Sequence, residues 1–595
     1  MGLLCQRCLE LLLDIVNFVK RLSSRIVERI KECMVLVREC CCMKPKSFKV
    51  RHLYEPVLPN HEKQAAQEFL NHLEAGLGER QLGKETLDAL RILAFSENAD
   101  LQQSAALYYL HMSQHMTAKL PQEFLEPYQA LLQSSDLEVQ QMSSLSLVNF
   151  LLEGYLNKEL VVQVGLLEPV LELLESGDSA VQCNSCACIM MLAVSESNRE
   201  AIGIAGGIRP LLTLAKSYDP RVQQNAVGAI LNLTRSEHIK SILCRQGALP
   251  VLILLLQSPD SDIQHRVSAQ VTDQQRNDSE YYSCASLGNI AANADHHEAM
   301  MEIGDKFLLR MLVSLMSSSV QKVSSQACLC LNNLASNAEI RTHIHALDII
   351  HLLLILLNSS SKDVRQASIT LLCTMTHPPG NMNAVLCKEL LTHLVVLMQR
   401  ERTNPVVVVH AACTIQNLSQ SENIEVIIQS QCFEELLQAL LDPNNEEETL
   451  QYLASCLSEL AKHDITRECL IDKKDKGLIR CLVKLAGLVE HKELSFHAAS
   501  VIKQLSHYGK ISAELKFLIK DVQHYLMCFL SHPELRFQQL SIATLCTLSE
   551  DTEFSTVISQ SQLKEQLEQL RKQTEDTQAL LRLTLSQTES ADSTK

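Results

Sequence analysis

From about residue 120 onward, apolar and polar positions alternate with the spacing of helices, in amphipathic runs broken by short polar turns. "LEPYQALLQSSDLEVQ", "LEPVLELLESGDSAVQ", "IRPLLTLAKSYDPRVQ" and "ALPVLILLLQSPDSDIQ" are four versions of one pattern. Each holds a proline, an amphipathic run, a polar turn with an aspartate, and a Val/Ile-Gln pair that opens a second apolar run. The prolines stand at 127, 169, 210 and 250, so the unit returns after 42, 41 and 40 residues. Proline suits the first turn of a helix, where its missing N–H would have no partner anyway. No strand signal intervenes.

A period near 41 built from two or three helices is the armadillo or HEAT arrangement. The pattern predicts an all-α fold, a right-handed armadillo-repeat superhelical solenoid preceded by an N-terminal amphipathic helix. It divides the chain into a basic head (1–60), an array of about eleven repeats (61–560), and a capping helix with a disordered tail (561–595). In the last segment Leu563, Leu567, Leu570 and Leu581 stand near heptad spacing, which fits a single capping helix better than a dimerising coil.

The second apolar run carries a further marker. "SLVNFLLE", "AILNLTRSE", "SLGNIAANA", "CLNNLASNA" and "TIQNLSQSE" place Asn149, Asn232, Asn289, Asn333 and Asn417 at one register position. Met191, Thr374, Glu459, Gln504 and Thr547 hold it in the intervening repeats. One gap breaks the period. Gln140 precedes Asn149 by nine residues and Gln223 precedes Asn232 by nine, but from Gln264 to Asn289 the distance is 25. The excess is "HRVSAQVTDQQRNDSE", residues 265–280, and removing it restores the phase. Sixteen residues are about 4.4 helical turns, which would rotate a continuous helix off its buried face. The expectation is therefore a polar insert, looped out of the array.

The chain resembles the fungal vacuolar membrane armadillo-repeat family (vacuolar protein eight) of the catenin-like superfamily. The resemblance runs from roughly 65 to 460 and is carried by "LQQSAAL", "GLLEPVLELL", "VQCNSCACI", "RVQQNAVGAILNLTRSE", "GALPVLILLLQS" and "LVSLMSSSVQKVSSQACLCLNNLAS". It implies a lipid-anchored adaptor at the cytosolic face of a vacuole- or lysosome-type membrane. Its concave groove would take extended peptide segments of organelle-tethering or autophagy-type proteins. In such arrays the asparagine of the third helix lines the groove, which makes Asn149, Asn232, Asn289, Asn333 and Asn417 the peptide-binding candidates; an amide that bridges adjacent repeats is the compatible alternative. An arginine often precedes this asparagine in the family, whereas Gly288, Asn332 and Gln416 stand there in this chain. A catenin-like adhesion or cytoskeletal scaffold at the plasma membrane or in the cytosol is the other reading. Nuclear transport receptors, also armadillo arrays, pair the groove asparagine with tryptophan, and this chain has none.

Charge sharpens the picture at the head. The net charge is −16, yet residues 1–51 carry eleven Lys/Arg against five Asp/Glu, so the remainder carries −22. An acidic body excludes general nucleic-acid binding, which depends on basic surface. Gly2 is the position that N-myristoylation uses, although Gln6 stands where Ser or Thr is usual. One acyl chain binds a bilayer only marginally, so a second signal is needed. Cys5 and Cys8 offer one, and Cys40, Cys41 and Cys42, followed by Lys44, Lys46, Lys49 and Arg51, offer another. Between them Ile15, Phe18, Leu22, Ile26 and Ile30 form an apolar stripe among basic residues, suited to an anionic membrane surface or to the first repeats.

No chemistry beyond binding is expected. P-loop, nucleotide-binding glycine, nucleophile-elbow and HExxH motifs are all missing, so no catalytic residue is assigned. Cys5 and Cys8 have the spacing of zinc ligands but no second close pair, and His296, His297, His343 and His345 read as packing residues, so no metal or cofactor is expected. The 22 cysteines fall largely within apolar helical runs, as reduced cytosolic thiols would. No secretory leader and no membrane-spanning segment are expected.

Overall fold

The computed structural model describes residues 58–74, 83–116, 118–256, 273–303, 307–377, 386, 388–421, 423–472, 476–570 and 573–592. Contacts divide the chain into Met1–Gln64 and Ala65–Lys595. In the second unit the described residues form helices and turns, with no strand.

Each repeat is built from short local signals. In one, the helices are Lys158–Gln163, Leu167–Leu173 and Ser179–Leu192; in the next, Glu196–Ile204, Ile208–Leu214 and Pro220–Leu233. The prolines found in the sequence fall in the first turn of the second helix, as Pro169 does in Leu167–Leu173. Between the first and second helices the chain bends sharply. Gly165, Gly206 and Gly247 occupy the left-handed region there, with φ of 83°, 81° and 83°. At the corresponding elbow Asp348 does the same with φ 51°, at a steric cost that glycine avoids. The bend is 87° from Glu237–Arg245 to Ala248–Leu255 and 84° from Ala338–His345 to Ile349–Leu357.

The turn into the third helix explains the Asp and Gln markers. Ser134, Ser176 and Ser217 Oγ accept the N–H of Asp136, Asp178 and Asp219 at 3.2, 3.3 and 3.2 Å. Each aspartate then caps the helix: Asp136 accepts from Val139 N–H at 3.0 Å, and Asp178 from Ala180 and Val181 N–H, both at 2.9 Å. The glutamine four residues on reaches back to the turn carbonyl, Gln140 to Ser134 O at 2.7 Å and Gln182 to Ser176 O at 2.6 Å.

Twelve long third helices recur among the described residues: Ala99–His115, Leu137–Leu152, Ser179–Leu192, Pro220–Leu233, Asp273–Ala291, Gln321–Ala335, Lys362–Met375, Pro405–Leu418, Glu447–Leu460, Lys492–Leu505, Leu535–Leu548 and Glu575–Asp592. Each packs on the next. Their apolar sides, such as Val139, Leu147 and Phe150, are fully buried. Where the helices come closest the residues are small: a Cβ added to Gly288 would lie 3.7 Å from Cys330 Cα.

Two stretches differ from the sequence reading. Residues 265–272 of the expected looped-out insert lie outside the described residues, but 273–280 are helical and run without a break to Ala291. The insert's own C-terminal half supplies the first turns of this helix, and buried Glu280 takes the register place nine residues before Asn289. Asp278 Oδ2 accepts from Gln224 Nε2 on the preceding third helix at 3.0 Å. Phase is kept by replacing the helix start, not by looping out all sixteen residues. At the C-terminal end, the four spaced leucines divide between two helices. Leu563 and Leu567 are buried on Gln562–Gln569, the chain turns extended at Leu570, and buried Leu581 lies on Glu575–Asp592. That last helix stacks on Leu535–Leu548 like every third helix before it.

Candidate functional site

The ladder asparagines fall on consecutive or alternate third helices, and their side chains behave alike. Each Nδ2 donates to the preceding third helix or to the turn that follows it. Asn149 donates to Ser113 Oγ at 3.0 Å, Asn232 to Met190 O at 2.7 Å, Asn289 to Thr234 Oγ1 at 3.0 Å and Asn333 to Gly288 O at 2.9 Å. Asn417 donates to both Cys373 O and Thr376 Oγ1 at 3.2 Å. Gln504, at the same register, donates to Ser458 O at 3.4 Å. The amide is thus a clamp between repeats, donating to a carbonyl or hydroxyl of the neighbouring helix or of the turn that follows it. In Asn149, Asn232, Asn289 and Asn333 this uses one N–H of the amide, whereas Asn417 uses both. Asn417 is buried to 8% exposure, which makes it the least accessible of the five.

The positions before the ladder are also engaged. Gly288 lets its helix approach Cys330, Asn332 Oδ1 accepts from Thr374 Oγ1 at 2.7 Å, and Gln416 donates to Ser455 Oγ at 3.4 Å. Sequence reasoning missed a second row seven residues toward the N-terminus. Asn225 Nδ2 donates to Cys183 O at 3.1 Å and Asn184 Nδ2 to Ser144 Oγ at 3.1 Å. The signal was present, since Asn184 and Asn225 are 41 apart. Beside the ladder, the second-row position holds amides at Asn184, Asn225 and Gln326, and other residues at Met142, Tyr282, Ala367 and His410.

A third recurring device closes the end of the third helix. Reaching back six residues, Arg199 Nη1 donates to Ala193 O at 3.3 Å, Arg341 Nη1 to Ala335 O at 2.8 Å and Arg467 Nη1 to Ala461 O at 2.8 Å. His297 takes the same place, with Nε2 2.7 Å from Ala291 O. His343 Nδ1 lies 3.0 Å from Glu339 O and His345 Nε2 3.0 Å from Met375 O. Among the described residues no group of three His, Cys, Asp or Glu could hold a metal ion.

Gly2, Cys5, Cys8, Cys40, Cys41 and Cys42, and the basic amphipathic stripe between them, lie outside the described residues. Fifteen cysteines are described, none in a disulfide. Burial pushes most of their thiols up, to about 12 at Cys328, Cys330 and Cys432. Among the described residues no single helix is long and apolar enough to cross a membrane. The two bent pairs that reach that length are repeat elbows, with Leu252, Ile349 and Leu353 fully buried.

Three-helix units, a continuous stack of third helices and an amide ladder across it define an armadillo-repeat protein. The Armadillo/beta-catenin-like repeat model matches residues 155–189 and 195–235. The crystal structure of an engineered protein aligns with TM-score 0.60 and 23% identity, covering 72% of this chain and 99% of that one. A structure solved for the interaction between cadherin and beta-catenin aligns with TM-score 0.60 and 14% identity, covering 85% and 99%. At such identities the likeness is one of fold. Vacuolar protein 8 of Schizosaccharomyces pombe is 36% identical over 516 residues, 86% of this chain and 88% of that relative. The chain belongs to the vacuolar protein 8 family.

Proposed function

We propose that this chain is a non-enzymatic armadillo adaptor that gathers partner proteins on the cytosolic face of a vacuole- or lysosome-type membrane. The observation that carries this reading is the match to Vacuolar protein 8 of Schizosaccharomyces pombe along 86% of the chain. Residues 1–60 anchor it, through acylation of Gly2 with Cys5 and Cys8, reinforced by Cys40, Cys41, Cys42 and the basic stripe. Residues 61–560 present the ladder face, where the free valences of Asn149, Asn232, Asn289 and Asn333 hydrogen-bond the backbone of an extended peptide segment. Neutral amides suit that task, because they recognise peptide groups without selecting a charge.

Membrane fractionation tests the anchor. Wild type is expected in the membrane pellet, and Gly2→Ala or the Cys5→Ser/Cys8→Ser double variant in the cytosol. A protein that stays on membranes with both changes ends the lipid-anchor reading and favours a catenin-like scaffold. For the ladder, Asn232→Ala/Asn289→Ala/Asn333→Ala is expected to lose captured partners at least tenfold while retaining its membrane attachment. Unchanged capture by this triple variant removes the groove from the proposal.

A further inference from the structure

The ladder register reaches one repeat further toward the N-terminus than its asparagines do. Gln102 Nε2 donates to Ser96 O at 2.8 Å, the bond that Gln140 and Gln182 make in the repeats that follow. Nine residues on from Gln102, His111 takes the position on Ala99–His115 that Asn149 holds on the next third helix. His115 follows four residues later on the same helix. Residues four apart share one face of a helix, one turn from each other. The ladder therefore begins with two imidazoles where later repeats carry an amide.

The two rings lie together, with centroids 4.2 Å apart and planes inclined by 32°. His115 Nδ1 is 2.9 Å from His111 O. A carbonyl can only accept, so Nδ1 carries the proton and, in the neutral ring, Nε2 keeps its lone pair. A backbone carbonyl that fixes one ring nitrogen and leaves the other to a cation is a common support of a metal-ligating histidine. His111 is half-buried, and burial, then the charge of His115, hold its pKa below the ordinary value. It is thus kept in the neutral form that binds metals. Of the 21 histidines these are the only two spaced by four. His296 and His297 are adjacent and His343 and His345 are two apart, spacings that turn side chains to different sides of a helix.

We propose that His111 and His115 form a chelating site for a divalent transition-metal cation of the kind imidazole suits, such as zinc, copper or nickel. Two nitrogens bound to tetrahedral zinc at about 2.0–2.1 Å stand about 3.3 Å from each other. Rings with centroids 4.2 Å apart reach that separation by turning, without a shift of the helix. Two protein ligands are fewer than the three or four of catalytic and structural zinc centres. The cation is therefore held reversibly at the N-terminal end of the ladder face, with its other positions open to water.

The test uses the full-length protein and zinc ions alone. Diethyl pyrocarbonate, which acylates neutral imidazole, is applied with and without zinc, and the modified histidines are mapped by mass spectrometry. Mapping reads each ring separately, so zinc taken up by cysteines elsewhere does not enter the result. Zinc is expected to protect His111 and His115, while the exposed His351 and His507 are modified alike in both samples. In His111→Gln the zinc concentration that half-protects His115 is expected to rise about tenfold or more, because two ligands on one helix act as linked binding groups. Equal modification of His115 with and without zinc overturns the proposal. So does protection of His115 that His111→Gln leaves unchanged, since that marks an adventitious ion only. Wild-type mapping decides the first point even if His111→Gln disturbs the helix.

Discussion

At the scale of single residues, the array is held by polar side chains that each meet one demand of the neighbouring backbone. Asparagine amides bridge third helices, glutamines close the turn before them, and arginines cap their ends. Among the ion pairs of the described residues, Arg365–Glu401 is the one with both side chains under a tenth exposed. Arg365 Nε donates to Glu401 Oε1 at 2.9 Å, and its Nη1 donates to Ser359 O at 2.7 Å. Burial disfavours the Glu401 carboxylate, but the hydrogen bond and charge of Arg365 outweigh it and hold its pKa below the ordinary value. A carboxyl depressed in the folded state contributes stability that is complete above its unfolded value and is lost as pH falls through the folded one. Arg365→Leu leaves the carboxylate buried and unpaired, and is expected to destabilise the protein by about 3 kcal/mol near neutral pH. Denaturant titrations of both proteins as pH falls below the ordinary carboxylate value of 4.5 are expected to converge. A penalty that persists undiminished in acid shows that the ion pair is not its source.

At the scale of elements, the elbow between first and second helices is the point where local chemistry and geometry conflict once. Glycine takes the left-handed conformation at Gly165, Gly206 and Gly247, and Asp348 takes it with a Cβ. Asp348→Gly removes that clash and is expected to stabilise the protein by about 0.5–1 kcal/mol, less whatever the more flexible unfolded chain takes back. A thermal melt that falls instead of rising means the Asp348 side chain makes a compensating contact. The elements themselves were largely legible beforehand. Prolines, capping aspartates and returning glutamines act over a few residues, so their meaning is present in any short window. The start of Asp273–Ala291 was not legible, because the residues before it can be helix or loop by composition. The bond from Gln224 of the preceding repeat to Asp278, and the burial of Glu280, decide between them.

At the scale of the whole unit, stability passes from neighbour to neighbour, as in any array whose repeats touch only adjacent repeats. The C-terminal helix Glu575–Asp592 covers Leu535–Leu548 and Thr552–Ser559. Ser549 Oγ bonds the Gln587 side chain and Ser555 Oγ donates to Gln587 O at 3.1 Å. Truncation after residue 570 would uncover that apolar face. Limited proteolysis is expected to cut first within 535–570 in the truncated protein and to leave that region intact in the full chain. Equal protection in both would mean that the last helix is dispensable to the stack.

By itself the sequence determined the helical class, the period near 41 residues, the turns marked by aspartate and glutamine, and the register of the ladder asparagines. These follow from spacing along one helix and from side chains bonding backbone within the same turn. Only the tertiary structure decided which atom each ladder amide meets, how the insert keeps phase, and that the four C-terminal leucines belong to two helices. The partners in those contacts lie about one repeat apart in the chain or depend on competing ways to bury the same apolar surface. No local window holds both sides of such a choice.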